Sequence, residues 1–168
     1  MMKNIIIVED KPWVTQEAVC ALKEKKASVI KIVYYPNAYG DENEKKNLMD
    51  EFKEKTAVAV DEVRTQEEFV NKMEELYELE NTVIFMDYEL KGDSTEEADK
   101  RINVRYARYK EYGEEFDQKK RKIWFYTASS VANVAILNHN FPDHVLPVTK
   151  FCDGMLEWKE DTINQILG

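Results

Sequence analysis

Val83-Ile84-Phe85-Met86-Asp87-Tyr88-Glu89-Leu90-Lys91-Gly92-Asp93 is the stretch from which the rest of the chain is read. Val83 to Met86 form an unbroken apolar run that stops at a carboxylate. A short apolar run bounded by polar residues predicts a strand buried on both faces, as in parallel sheets. Polar residues and Gly92 follow, so the chain leaves the sheet there. Asp87 then stands at the carboxyl end of a strand, where open α/β sheets place their ligands. Taken alone, Asp87 is accounted for by an Asx turn in the loop that follows.

Three other apolar runs end in the same manner. Ile5 to Val8 run into Glu9-Asp10, Ile123 to Tyr126 into Thr127-Ala128-Ser129, and Val145 to Thr149 into Lys150. Between them lie helical patterns. Pro12 suits the first turn of a helix carrying Val14, Ala18, Ala21 and Leu22. A second strand is predicted at 29–35, broken by Pro36-Asn37 and Gly40. Asp41 with Glu44, Thr65 with Glu68, and Ser94 with Glu97 each have capping-box spacing. They predict helices at about 41–55, after 65, and from 94 through Tyr109 towards Gly113. The short run 57–60 is a strand whose place is open: it or 29–35 is the second strand of the sheet, or the two pair at its edge. Residues 144–149 are the last predicted strand. A final helix is expected to carry Met155, Leu156, Trp158, Ile163, Ile166 and Leu167.

Strand and helix thus alternate about five times, which predicts a parallel sheet with helices on both faces. Right-handed crossovers place all strand carboxyl ends on one edge. Glu9, Asp10, Asp87, Thr127 and Lys150 fall on it.

The 168 residues are read as one domain, 1–168. A hydrophobic share of 43% with 34% charged residues is that of a folded soluble protein, not a disordered one. No apolar run spans a bilayer and no signal-like segment opens the chain, so a cytoplasmic location is expected. Cys20 and Cys152 form no CxxC pair, and His139 and His144 lack companions at ligand spacing. The net charge of -9 argues against generic binding to nucleic acid or anionic membrane. Residues 100–122 are a local basic exception, explained by a solvated helix face and a basic connector.

Three carboxylates at adjacent strand ends repel one another unless a cation neutralises them. Oxygen-only, carboxylate-rich ligation suits Mg²⁺ or Mn²⁺. A lysine opposite, a threonine hydroxyl and a backbone N–H suit the oxygens of a phosphoryl group. The set fits phosphoryl transfer onto an aspartate. The bland readings are a helix cap for Glu9-Asp10, a turn residue for Thr127 and a solvated lysine for Lys150.

In this set of residues the chain resembles a response-regulator receiver domain of two-component signalling. The resemblance rests on Glu9-Asp10, on Asp87 within Met86-Asp87-Tyr88-Glu89-Leu90-Lys91-Gly92, on Thr127-Ala128 and on Lys150. It covers nearly the whole length, with extra residues at about 36–56 and an extended third helix and basic connector at about 94–121. It implies an α/β fold: a doubly wound five-stranded parallel sheet of order 2-1-3-4-5, with an insertion after the second strand. It implies that Asp87 is the phosphoacceptor, with Mg²⁺ (or Mn²⁺) held by Glu9, Asp10, Asp87 and the backbone carbonyl of Glu89. Lys150, Thr127 and the Ala128 N–H would bind the phosphoryl group. The implied partners are a histidine kinase or phosphotransfer protein as donor and a downstream protein as output, as for single-domain receivers.

The chain departs from that family at three places. Phe151 follows Lys150 where proline is usual, Pro147 stands where the switch aromatic is usual, and Glu89 adds a carboxylate beside the acceptor. A cis bond before a non-proline costs about 3 kcal/mol or more, which weighs against the family's cis peptide at Lys150-Phe151 while the sequence leaves the isomer open. The missing proline and the missing aromatic favour an alternative, a receiver-like interaction module that no longer uses phosphate, and the intact five site residues oppose it. A remoter alternative is a Toprim-like, metal-dependent nucleic-acid enzyme, suggested by Glu9 with Asp87-x-Glu89.

Overall fold

In the computed structural model, which describes residues 3–25, 29–90, 101–113, 117–127, 131–150 and 154–168, strand β4 (Thr82–Asp87) is buried at all six positions. That is the burial of a central strand covered on both faces. Strand β1 (Asn4–Glu9) lies beside it in parallel, with Val8 opposite Met86. Strand β5 (Ile123–Tyr126) lies on its other side, with Asp87 opposite Tyr126. Strand β2 (Val29–Tyr34) pairs with β1, and β3 (Ala59–Glu62) pairs with β2. All pairings are parallel, and the order is β3-β2-β1-β4-β5.

The α/β class and the parallel sheet agree with the sequence reading; the order differs at both edges. The run near 57–60 adds an edge strand outside β2, so the two candidates for second strand are both in the sheet. At the opposite edge the expected fifth strand, 144–149, does not form as one piece. Val145 makes a single parallel bridge to Phe125, with Leu146 N–H donating to Phe125 O at 2.7 Å. The chain then forms β6 (Val148–Lys150), which pairs antiparallel with β7 (Leu156–Trp158) in a separate two-stranded sheet. The start of the expected final helix is therefore strand. Leu156 and Trp158 are buried and Glu157 between them is exposed, which is strand periodicity.

Helices cover both faces. The 3-10 turn Pro12–Thr15, α1 (Gln16–Glu24), α2 (Glu42–Thr56) and α6 (Glu160–Leu167) lie on one side. Val19, Leu22, Phe52, Trp158 and Ile163 there pack with Ile5, Ile7, Ile32 and Phe85. On the other side α3 (Gln66–Tyr77), α4 (Ile102–Glu111) and α5 (Val131–Asn140) bring Phe69, Met73, Tyr106 and Leu137 against Ile6, Val8, Ile84 and Met86. Asp41 caps α2 by accepting from Asn43 N–H at 2.8 Å and Glu44 N–H at 3.0 Å, and Thr65 caps α3 by accepting from Glu68 N–H at 3.1 Å. Both caps follow the spacing in the sequence; the box at Ser94-Glu97 lies outside the described residues. Helix α2 ends at Ala57, which is held in the left-handed region at φ 52°.

Before the bridge to Val145, the start of β5 is closed on that edge by a side chain. Glu111, buried at the end of α4, accepts from Ile123 N–H at 3.1 Å, from Lys122 N–H, and from Tyr77 O–H at 3.1 Å. Burial raises its pKa, and these donors oppose that rise. Much of the basic stretch is engaged within the chain. Lys110 pairs with Glu74 at 2.7 Å, Arg108 donates to Asn140, and Lys122 donates to the carbonyls of Tyr77 and Leu79. Arg121 stacks 3.7 Å from the Tyr112 ring centre. Among the described residues, no helix is long and apolar enough to cross a membrane.

A carboxylate cluster at the carboxyl edge of the sheet

Glu9 is the last residue of β1, Asp10 follows it, and Asp87 is the last residue of β4. Because β1 and β4 are parallel neighbours in register, the three carboxyl groups come out together. One oxygen from each lies within 4.8 Å of the others. Glu9 and Asp87 are buried and Asp10 is half-buried.

Each carboxylate is tied down. Glu9 Oε1 accepts from the N–H groups of Asp10 and Lys11, both at 3.1 Å, and its Oε2 accepts from Tyr126 O–H at 2.6 Å. Glu9 therefore does not cap the Pro12 turn, whose N-terminus has no side-chain cap. Asp10 Oδ2 accepts from Asn37 Nδ2 at 3.1 Å. Asp87 Oδ1 accepts from Glu89 N–H at 3.3 Å, the Asx turn that its position alone allowed. The backbone is fixed as well: Asn103 Nδ2 donates to Asp87 O at 2.7 Å and to Tyr88 O at 3.1 Å.

Crowding and burial shift the pKa values of the site in one direction, upward. Burial, and then the charge of Asp10, push Asp87 up to about 8. Burial, and then the charge of Asp87, raise Glu9 well above the usual carboxylate range. Burial and the charge of Glu9 raise Tyr126, so its phenol stays a donor.

The cluster lines a cavity of about 350 Å³, together with Lys11, Trp13, Glu89, Tyr126, Gly154 and Leu156. The donor set is all oxygen and carries up to three negative charges. Mg²⁺ sits about 2 Å from its ligands, so two oxygens on one ion are at most about 4 Å apart. Oxygens within 4.8 Å need only a small closure to meet that limit. The residues fit a hard divalent cation such as Mg²⁺ or Mn²⁺.

Glu9, Asp10 and Asp87 are thus brought together as the sequence predicted. Thr127 directly follows β5 and is buried. Ala128 lies outside the described residues, as does the Lys150–Phe151 peptide. Lys150 was expected to end a strand of the main sheet. Its backbone instead lies in β6 opposite Leu156, one of the cavity residues, and its side chain is outside the described part of the structure. Glu89 lines the cavity, with Oε1 accepting from Asn133 Nδ2 of α5 at 2.7 Å. The ligand role of its carbonyl rests on the resemblance alone.

Tyr126, Asn37 and Asn103 belong to the site and were not picked out from the sequence. Tyr126 had a signal, a polar-tipped ring closing an apolar run beside Thr127. No family model matches the chain, and no curated protein matches it. A parallel five-stranded sheet with an acidic cluster at its carboxyl edge is compatible with the receiver fold.

Proposed function

We propose that the chain is a phosphoacceptor: Asp87 takes a phosphoryl group with the help of a divalent cation, and the change alters binding to a protein partner. The supporting observation is the meeting of Glu9, Asp10 and Asp87 within 4.8 Å at the carboxyl edge of β1 and β4. Glu9, Asp10 and Asp87 would hold the cation. Bound there, it would offset the charge of the carboxylates and of the incoming phosphoryl oxygens.

An Asp87 carboxylate oxygen attacks phosphorus, the bond from phosphorus to the donor's leaving atom breaks, and an acyl phosphate results. Water later cleaves that anhydride and returns the carboxylate with inorganic phosphate. Tyr126 and the 10–11 amides keep Glu9 oriented, while Asn37 orients Asp10. Thr127 O–H, Ala128 N–H and Lys150 are assigned to the phosphoryl oxygens by the resemblance. A histidine kinase or phosphotransfer protein is the expected donor.

The rival reading, an interaction module that does not use phosphate, is favoured by one observation. The segment bearing Lys150 belongs to a hairpin rather than to the main sheet. Intact mass after incubation with Mg²⁺ and acetyl phosphate separates the two. The phosphoacceptor reading expects one phosphoryl adduct on the wild type and none on Asp87→Asn. Absence of an adduct, and of beryllofluoride binding in the presence of Mg²⁺, leaves the interaction module.

A further inference from the structure

From the packing of α4 on the end of β4, we infer that Arg101 and Asn103 form a clamp that positions Asp87 for the cation. The inference rests on the reading of Glu9, Asp10 and Asp87 as a cation site. Asn103 is fully buried in the first turn of α4. Its amide does not cap the helix. Both of its bonds instead go to the backbone carbonyls at the end of β4, Asp87 O at 2.7 Å and Tyr88 O at 3.1 Å. Arg101, the residue before α4, lays its guanidinium 4.1 Å from the centre of the Tyr88 ring. Tyr88 and Leu90 are buried in the same core as Tyr106 and Ala107 of α4.

A strand end normally frays, because its last carbonyls have lost their ladder partners. Here the strand end carries Asp87; Tyr88 N–H still donates to Tyr126 O of β5 at 2.8 Å, while the Asp87 and Tyr88 carbonyls turn to Asn103. The Asp87 carboxylate hangs from a backbone fixed by two hydrogen bonds from another element. The approach of its oxygen to those of Glu9 and Asp10 then depends on α4 as well as on the pairing with β5. Groups that orient metal ligands commonly change metal affinity by 10- to 100-fold when removed. Asn103 touches neither cation nor substrate, so it is a positioning residue, and Arg101 is its partner through Tyr88.

The test is Mn²⁺ affinity by titration calorimetry, with urea unfolding alongside. Wild type, Asn103→Leu and Arg101→Met are compared with Phe52→Ala, a core truncation on the opposite face of the sheet. The clamp predicts about tenfold weaker Mn²⁺ binding in Asn103→Leu. It predicts a smaller loss in Arg101→Met, and wild-type affinity in Phe52→Ala despite lower stability. Hydrogen exchange at the Tyr88 and Glu89 amides should quicken in both clamp variants. If Asn103→Leu does not fold, Arg101→Met decides. Wild-type affinity in the folded clamp variants overturns the clamp and leaves the cation site standing, as does an equal loss in Phe52→Ala. Failure of the wild type to bind Mn²⁺ overturns the cation reading and the clamp with it.

Discussion

Replacing Asp87 with asparagine should make the cation-free protein more stable at pH 8, by a margin that shrinks steadily as the pH falls towards 4. The folded state raises the Asp87 carboxyl from 3.8 to about 8, through burial and the charge of Asp10. The folded chain therefore holds this proton more tightly than the unfolded chain. Stability is fully present below the unfolded pKa near 4, falls as pH rises through the window up to about 8, and levels off above it. Glu9 is shifted in the same direction and adds to the slope. At about 1.4 kcal/mol per pH unit, the Asp87 window caps the loss at roughly 6 kcal/mol. A second estimate comes from distance. Two like charges within 4.8 Å repel by about 3 kcal/mol at an effective dielectric constant of ~20. Asparagine keeps an oxygen for Glu89 N–H and leaves the carbonyl bound by Asn103 untouched. A gain of about 3 kcal/mol at pH 8 corresponds to a Tm roughly 6–12 °C higher for a chain of this size. Urea unfolding with chelator present, at pH 5, 6, 7 and 8, measures both profiles. A wild-type profile flat from pH 5 to 8, or an Asp87→Asn protein no more stable at pH 8, refutes the claim that these carboxylates are crowded and buried together.

Two further substitutions test the frame that carries the site. Glu111→Leu leaves Ile123 N–H, Lys122 N–H and Tyr77 O–H without their acceptor. At about 1–3 kcal/mol per buried orphan donor, it should cost at least roughly 3 kcal/mol; Glu111→Gln keeps one acceptor oxygen and should cost less by denaturant unfolding. Ala57→Gly relieves an alanine held at φ 52° after α2 and should raise stability by about 0.5–1 kcal/mol in the same assay.

What the sequence could reveal depended on the range of the interactions. The strands at 4–9 and 82–87 are apolar runs long enough to show burial on both faces, and they end at the carboxylates that meet. Asp41 and Thr65 cap helices through neighbours two or three residues away, so spacing alone finds them. The run 145–149 misleads because it is shared between two partners, Phe125 of β5 and the strand 156–158. Three residues are too few for a period, so Leu156-Glu157-Trp158 reads as the start of the helix that follows. The bond from Tyr126 to Glu9 joins residues 117 positions apart, and the one from Asn103 to Asp87 spans 16. Neither has a local pattern, although both decide how the carboxylates are held.

The most direct measurement is a Mn²⁺ titration at pH 8, followed by electron paramagnetic resonance, on the wild type and on Asp10→Asn and Asp87→Asn. One ion bound per wild-type chain, displaced by excess Mg²⁺ and lost or greatly weakened in both variants, is the predicted result. No bound ion in the wild type, or equal binding in all three proteins, contradicts a cation site at Glu9, Asp10 and Asp87.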